Sequence, residues 1–315
     1  MLSRSDGKSL LYASKQHGVH GEPESGKGWL VCRATADVLG AGGHVFYFDF
    51  EDCAETLVER LLALGVEGQA IRDRLHYIRP DEPLTDEVWE RELSVAFTAS
   101  PELVVIDGVT EALALHNLSL KENDDIAKWQ KLLPRRAQAT GAAVVQVDHV
   151  SKDREGRRQF AIGGQHKLAA IDVAYSLERI EPLGRGREGV INIVIAKDRP
   201  GYVREYAEGG KHVALMRVVS EDDGQVRITL EPPRERAETF RPTGQMERVS
   251  HAIEETPGLG KAALRGLVKG KNDVKDAALE LLLAENYVEQ GTDGKGRTHK
   301  LFSLKPYRES EDEAA

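Results

Sequence analysis

Cysteine is almost missing from this chain: Cys32 and Cys53 are the only two among 315 residues. Two thiols cannot build a disulfide framework, and neither stands in a C-x-x-C pair or at a Cys/His metal-ligand spacing. Two reduced structural cysteines fit a cytoplasmic compartment. Long apolar runs are also lacking. None approaches the roughly 18–20 residues that span a bilayer, so no membrane segment is expected. Met1 to Lys8 carries charges with no apolar core behind them, so no signal peptide is expected. No internal repeat and no long low-complexity tract is present. Positive charge is in deficit, with 43 Lys and Arg against 52 Asp and Glu, a net −9. That balance excludes a uniformly basic nucleic-acid binder.

What is present suits a folded chain of about two domains. Hydrophobic residues make up 40% and charged residues 30%, enough apolar material for a sizeable core. The charge is unevenly distributed. Residues 1–240 hold 31 basic and 39 acidic residues, whereas residues 241–307 hold 11 and 9. Arg308 adds one basic residue, and the tail 309–315 adds four acidic ones. The only net-basic block therefore lies near the C-terminus. Pro232-Pro233 and Pro242-Thr243-Gly244 mark the linker before it. The expected layout is a domain over 1–235, a linker over 236–244, a small domain over 245–307 and an acidic tail over 308–315.

Short apolar runs alternate with helical patterns in the first domain. His44–Phe50, Leu103–Asp107 and Ala142–Val147 read as strands. Helices are expected over Ala54–Leu64, Asp86–Ala99 and Asp124–Ala139. This order predicts an α/β fold with a mainly parallel sheet covered by helices. Ala174–Ile180, Gly189–Ala196, Val213–Val219 and Gln225–Leu230 have no long helix between them, so they predict antiparallel edge strands.

Gly21-Glu22-Pro23-Glu24-Ser25-Gly26-Lys27-Gly28 satisfies G-x-x-x-x-G-K and lacks the closing Ser/Thr. In such a loop the glycines let successive N–H groups point at phosphate oxygens. The helix starting near Gly26 and running on through Trp29 adds its positive end. Lys27 neutralises the β- and γ-phosphates, which makes ATP the expected ligand. Gly28 offers no hydroxyl to Mg²⁺, so the ion would rely on water, phosphates or other side chains. The strand before the loop, Gln16–His20, is weakly apolar.

Leu103-Val104-Val105-Ile106-Asp107 is an apolar strand ending in an acid, which places Asp107 at the ligand-binding rim of an α/β sheet as a Mg²⁺ holder. A second strand ends in Asp49-Phe50-Glu51-Asp52. Strand alternation sets Asp49 and Glu51 on one face and Asp52 on the other. Glu51 is the expected base, and Asp52 the expected cap of the next helix, with Glu55 completing a capping box.

Together with Val147-Asp148-His149-Val150-Ser151-Lys152 and Ala196-Lys197-Asp198-Arg199-Pro200-Gly201, these motifs resemble the RecA-like P-loop ATPases. The likeness is strongest to the RepA-type hexameric helicases and their phage and actinobacterial relatives, grouped as AAA-family ATPases. It covers residues 9–220. The resemblance implies that Lys27 binds phosphate, Asp107 the Mg²⁺ shell, and that Glu51 polarises the attacking water. It implies that His149 is the sensor of the γ-phosphate. It further implies that Lys197 and Arg199 form the K-x-R pair that such hexamers insert into a neighbour's site. A homo-oligomer, with a hexamer favoured, follows.

In RecA-like rings the loop after the sensor strand lines the channel. Here Lys152, Arg154, Arg157, Arg158 and Phe160 fall in that loop, where cations would meet phosphates and the ring would stack on a base of single-stranded DNA. The last domain predicts helices over Gln245–Glu255, Lys261–Val268 and Asp273–Glu285. A hairpin, Tyr287–Glu289 and His299–Leu304, closes it, and the unit resembles a winged helix. Lys269, Lys271, Lys275, Lys295, Arg297 and Lys300 are its expected phosphate contacts on duplex DNA. Three readings follow: a DNA-dependent helicase or translocase of a mobile element, a nucleotide-gated DNA-binding or loader protein with weak ATPase activity, and a regulatory ATPase with protein partners only.

Overall fold

The computed structural model describes residues 1–120, 122–149, 168, 170–221, 223–233, 243–292 and 300–308. The chain divides into two compact units, Met1–Glu235 and Arg236–Ala315. Each is described by itself.

Nine strands form the sheet of the first unit. In chain order they are β1 (Gln16–Gly21), β2 (Val45–Asp49), β3 (Leu75–Ile78), β4 (Leu103–Asp107), β5 (Ala143–His149), β6 (Val173–Glu181), β7 (Glu188–Asp198), β8 (His212–Ser220) and β9 (Val226–Glu231), arranged as β3-β2-β4-β5-β1-β6-β7-β8-β9. Strands β3 through β6 in that spatial order run parallel. The β6-β7-β8-β9 flank is antiparallel. Three of the four expected edge strands join at their expected places, and β6 is shared between the parallel and antiparallel parts.

Side-chain alternation explains why the central strands read as unbroken apolar runs. Val45, Tyr47, Leu103, Val105, Ala143 and Val145 enter one core. Phe46, Phe48, Val104, Ile106, Ala142 and Val144 enter a second one. The strands are buried on both faces, as parallel sheets require. Helices α1 (Lys27–Gly40), α2 (Ala54–Ala63) and α3 (Gly68–Arg74) supply residues to the first core. A helical run of α4 (Asp86–Val88), a π-turn over Trp89–Leu93 and α5 (Ser94–Phe97) supplies the second. So do α6 (Val109–Leu115), α7 (Asn123–Leu132) and α8 (Pro134–Ala139).

Several local expectations need correction. The single helix over Asp124–Ala139 is two, because Pro134 has no N–H to continue α7 and instead starts α8 at its first turn. α3, β3 and α6 are additional to the elements that the sequence pattern predicts. β1 is a full strand despite its polar residues, since Gln16 and His17 are hydrogen-bonded; His20 is buried too, with no hydrogen-bond partner for its Nε2 within the protein. His17 is buried, its Nδ1 3.2 Å from the Val144 carbonyl and its Nε2 accepting from the Tyr12 N–H at 3.1 Å. Gln16 donates to Gln138 at 2.9 Å and accepts from Gln146 at 3.0 Å. Hydrogen-bonded polar side chains lose little by burial, so the strand needs no apolar signature.

The second unit contains α9 (Thr243–Glu255), β10 (Leu259–Gly260), α10 (Lys261–Leu267), α11 (Asn272–Ala284), β11 (Val288–Gly291) and β12 (Lys300–Ser303). Its three strands form an antiparallel sheet in the order β10-β12-β11. The three helices and the hairpin stand where the sequence puts them; β10 is additional. Met246, Val249, Ile253, Leu279, Leu282 and Leu301 form its core. No helix among the described residues is long and apolar enough to cross a membrane.

Candidate active site

Strand register gathers the charged residues at one edge of the sheet. Gly21 pairs with His149, and Asp49 with Asp107. Asp107 pairs with Val147, so β5 carries His149 two residues farther toward the rim. This is the carboxyl end of the parallel strands, where α/β sheets bind their ligands.

The loop after β1 has the geometry of a phosphate cradle. Gly26 has φ +87° and caps α1, a left-handed conformation that glycine adopts without strain. A Cβ on Gly21 would lie 2.4 Å from Ser25 Oγ and 2.9 Å from the Leu177 carbonyl oxygen. Only glycine fits there. Ser25 Oγ is buried and makes no hydrogen bond within the protein. Lys27 is buried and donates from Nζ to the Gly21 and Glu22 carbonyls at 2.8 and 3.0 Å. Burial lowers its pKa, and the nearby Glu51, Asp107 and Asp148 carboxylates oppose that. A cation held this way, with an unpartnered hydroxyl beside it, fits the polyanionic tail of a nucleoside triphosphate. Pro23 and Glu24 form the outer part of the loop, and Glu24 lies 3.2 Å from Arg179.

Glu51 is presented by a turn rather than by strand alternation. β2 stops at Asp49, whose Oδ1 accepts from the Glu51 and Asp52 backbone N–H groups at 3.0 and 2.8 Å. Asp49 therefore acts as a positioning residue, and Tyr77 OH fixes its other oxygen at 3.0 Å. Gly108, at φ +82°, leaves room for the glutamate, since a Cβ there would fall 2.6 Å from Glu51 Cγ. Glu51 Oε1 lies 2.9 Å from His149 Nε2, while His149 Nδ1 lies 3.5 Å from Lys27 Nζ. Burial and the neighbouring Glu111 carboxylate raise the pKa of Glu51, while the His149 contact pulls it down. The expected cap by Asp52 is corrected in part. Cys53 holds the N-cap position of α2 without a side-chain bond, and Asp52 Oδ1 accepts from the Cys53 N–H and the Thr56 hydroxyl.

Asp107 ends β4 and accepts from Tyr47 OH at 2.7 Å. Burial raises its pKa; Tyr47, Lys27 and Arg60 counter this. No cluster of three or more acidic, histidine or cysteine ligands exists among the described residues. The donor set is thus one buried carboxylate, which suits Mg²⁺ arriving with phosphates and its own waters rather than a protein cage.

Lys197 and Arg199 stand apart from this cluster. β7 runs antiparallel to β6, and Asp198 pairs with Val173, which is four positions from the Leu177 that pairs with Gly21. The two cations therefore lie toward the opposite edge of the sheet. Lys197 Nζ donates to the Leu168 carbonyl at 2.6 Å, and Arg199 lies 3.4 Å from Asp172. Lys152, Arg154, Arg157, Arg158, Phe160, Lys295 and Arg297 lie outside the described residues. Lys271 is exposed at the start of α11. Lys275 departs from the expected phosphate contact. It is buried, and its ammonium donates to the Arg265 carbonyl at 2.6 Å, closing the end of α10.

Residues 7–155 match the family model of an AAA domain. No curated protein sequence matches the chain. The flagellar accessory protein FlaH from Methanocaldococcus jannaschii is similar in structure at a TM-score of 0.50 and 13% identity, over 71% of this chain and 92% of that one. That likeness is one of fold. The α/β sheet with its antiparallel flank is accordingly RecA-like in fold.

Proposed function

We propose that this protein is an ATP-driven, ring-forming motor that acts on DNA, a helicase or translocase of the RepA kind. The observation that carries the hydrolytic part is the convergence of Glu51, His149 and Lys27 at the rim that Asp107 also lines. Lys27 and the loop N–H groups would hold the phosphates, and Glu51 would take the proton of the attacking water. His149 bridges the two, so it can feel both the base and the phosphate cation. Mg²⁺, bound with the nucleotide at Asp107, would neutralise phosphate charge. Lys197 and Arg199 would enter a neighbouring subunit's site, where an Arg stabilises charge on the transferring phosphoryl group.

The DNA part rests on sequence. Four cations and Phe160 follow β5 directly, and the second unit combines three helices with a hairpin in the manner of a winged helix. Gly28, which removes a Mg²⁺ ligand, favours a second reading of slower turnover in a nucleotide-gated loader. Steady-state ATPase rates with and without single-stranded DNA, measured beside the oligomeric mass, test the proposal. Expected are DNA-stimulated turnover by a ring, loss of turnover in Lys27→Ala, and loss of the stimulation when Arg157 and Arg158 are both changed to Glu. A rate that DNA does not change would leave an ATPase with protein partners only, and wild-type turnover by Lys27→Ala would overturn the catalytic assignment.

A further inference from the structure

Gly28 is the one position at which the phosphate loop departs from its pattern, and the structure places a specific side chain against it. A Cβ built on Gly28 would meet Arg60 Nη1 at 3.1 Å and Arg60 Cζ at 4.0 Å, and among the described residues no other atom beyond its chain neighbours and its own helix backbone within 4 Å. Arg60 comes from α2, 32 positions along the chain. Its guanidinium carbon sits 5.6 Å from the centroid of the Trp29 ring, which holds the group by a cation–π contact. It also reaches Cys32, one helical turn beyond Gly28, where burial pushes the thiol up to about 12 and Arg60 opposes it. Arg60 and Lys27 are the two cations whose charge offsets the burial of Asp107. The missing side chain at position 28 thus leaves a space bordered by a guanidinium whose charge, like that of Lys27, acts on Asp107.

We infer that Arg60 is a nucleotide-phosphate-binding residue, supplied in cis through the gap at Gly28, and that it lets the site hold ATP with little dependence on a divalent ion. The hydroxyl absent at position 28 would have tied the metal to the protein. A guanidinium offers permanent positive charge and several N–H donors to phosphate oxygens in its place. Asp107 still accepts the ion, so Mg²⁺ remains able to bind; its contribution to nucleotide affinity is what Arg60 reduces. This inference rests on the ATPase reading above.

Binding of a fluorescent ATP analogue, measured by anisotropy in Mg²⁺ and again in EDTA, tests it without reference to turnover. The wild-type chain is expected to bind in both conditions within a few-fold. Arg60→Gln is expected to lose about tenfold or more in EDTA, the size of one charge-assisted contact, and to recover most of it in Mg²⁺. Arg60 also packs on Trp29, so circular dichroism must show the variant folded. Gly28→Thr gives an independent arm that leaves Arg60 in the chain. The new Cβ meets only the end of a flexible side chain, so the fold should accept it. Its hydroxyl should raise the Mg²⁺-to-EDTA affinity ratio above that of wild type. Equal ratios in wild type and both variants would overturn the role of Arg60 and leave the ATPase reading standing. Wild-type binding in Mg²⁺ that vanishes in EDTA would overturn the role of Arg60 alone, and absence of binding in both conditions would overturn both readings.

Discussion

Glu51 and His149, 98 positions apart in sequence, meet at 2.9 Å between Oε1 and Nε2. The pair joins the end of β2 to the end of β5, and Lys27 closes on the other imidazole nitrogen. The proposed base and the proposed phosphate-binding cation are thereby linked through one ring. In the proposed mechanism this ring couples the state of the phosphate to the state of the base.

Glu51→Gln keeps the shape and removes the proton acceptor. Turnover should fall by about a hundredfold or more, the usual scale for losing a general base, while ATP affinity stays within a few-fold of wild type. Paired measurement of steady-state rate and nucleotide binding checks this. An unimpaired rate would move the base elsewhere.

The same pair sets a pH dependence. Glu51 accepts a proton only when ionised, and burial together with Glu111 raises its pKa while His149 lowers it. Activity should therefore disappear as pH falls through a value above the ordinary carboxylate range. His149→Ala removes the lowering influence, so this acid limb should move to higher pH. A pH–rate profile of the two proteins decides, and an unmoved limb would disconnect His149 from Glu51.

Much of this site was readable in the sequence because strand ends obey a simple rule. Asp107 follows four apolar residues, and Lys27 follows a glycine pattern with a known purpose. The contacts that complete the site were not readable. Whether His149 reaches Glu51 depends on β5 outrunning β4 by two residues, a matter of register that no local pattern encodes. Arg60 looks like an ordinary polar position on an amphipathic helix until α2 packs beside α1. Gly108 reads as a turn, and only the fold reveals that it makes room for Glu51. β1 reads as a weak strand for a physical reason: Gln16 and His17 are buried with hydrogen-bond partners, where a hydropathy pattern registers only polarity.

The histidines of β1 predict a second, structural pH effect. Burial lowers His17 and His20 to about 4 from the ordinary 6.5. The folded state thus binds fewer protons than the unfolded state between these values. Stability is complete above about pH 6.5 and declines as pH falls toward 4, by an upper bound of about 3 kcal/mol for each histidine. For His17 the cause is visible. Nε2 accepts the Tyr12 N–H, so a proton placed there sets two donors face to face. Denaturant midpoints at pH 7.5, 6 and 5 should show the decline, and His17→Gln should flatten it by about half. A midpoint independent of pH across that range would contradict the burial of these rings.

The position of Lys197 and Arg199 toward the far edge of the sheet gives the sharpest test of assembly. Within one subunit, Asp198 pairs with the start of β6 while Gly21 pairs four residues on, so neither cation is placed to reach its own phosphate loop. If they act, they act on a neighbour. Lys27→Ala and Arg199→Ala should each be inactive alone. In mixed rings, a subunit with an intact Lys27 can face a partner with an intact Arg199, and that composite site should hydrolyse ATP. Mixing the two purified variants after subunit exchange should therefore restore a fraction of the wild-type rate, rising with the proportion of such junctions. If Arg199 served its own subunit, every site would lack one of the two residues and mixing would restore nothing.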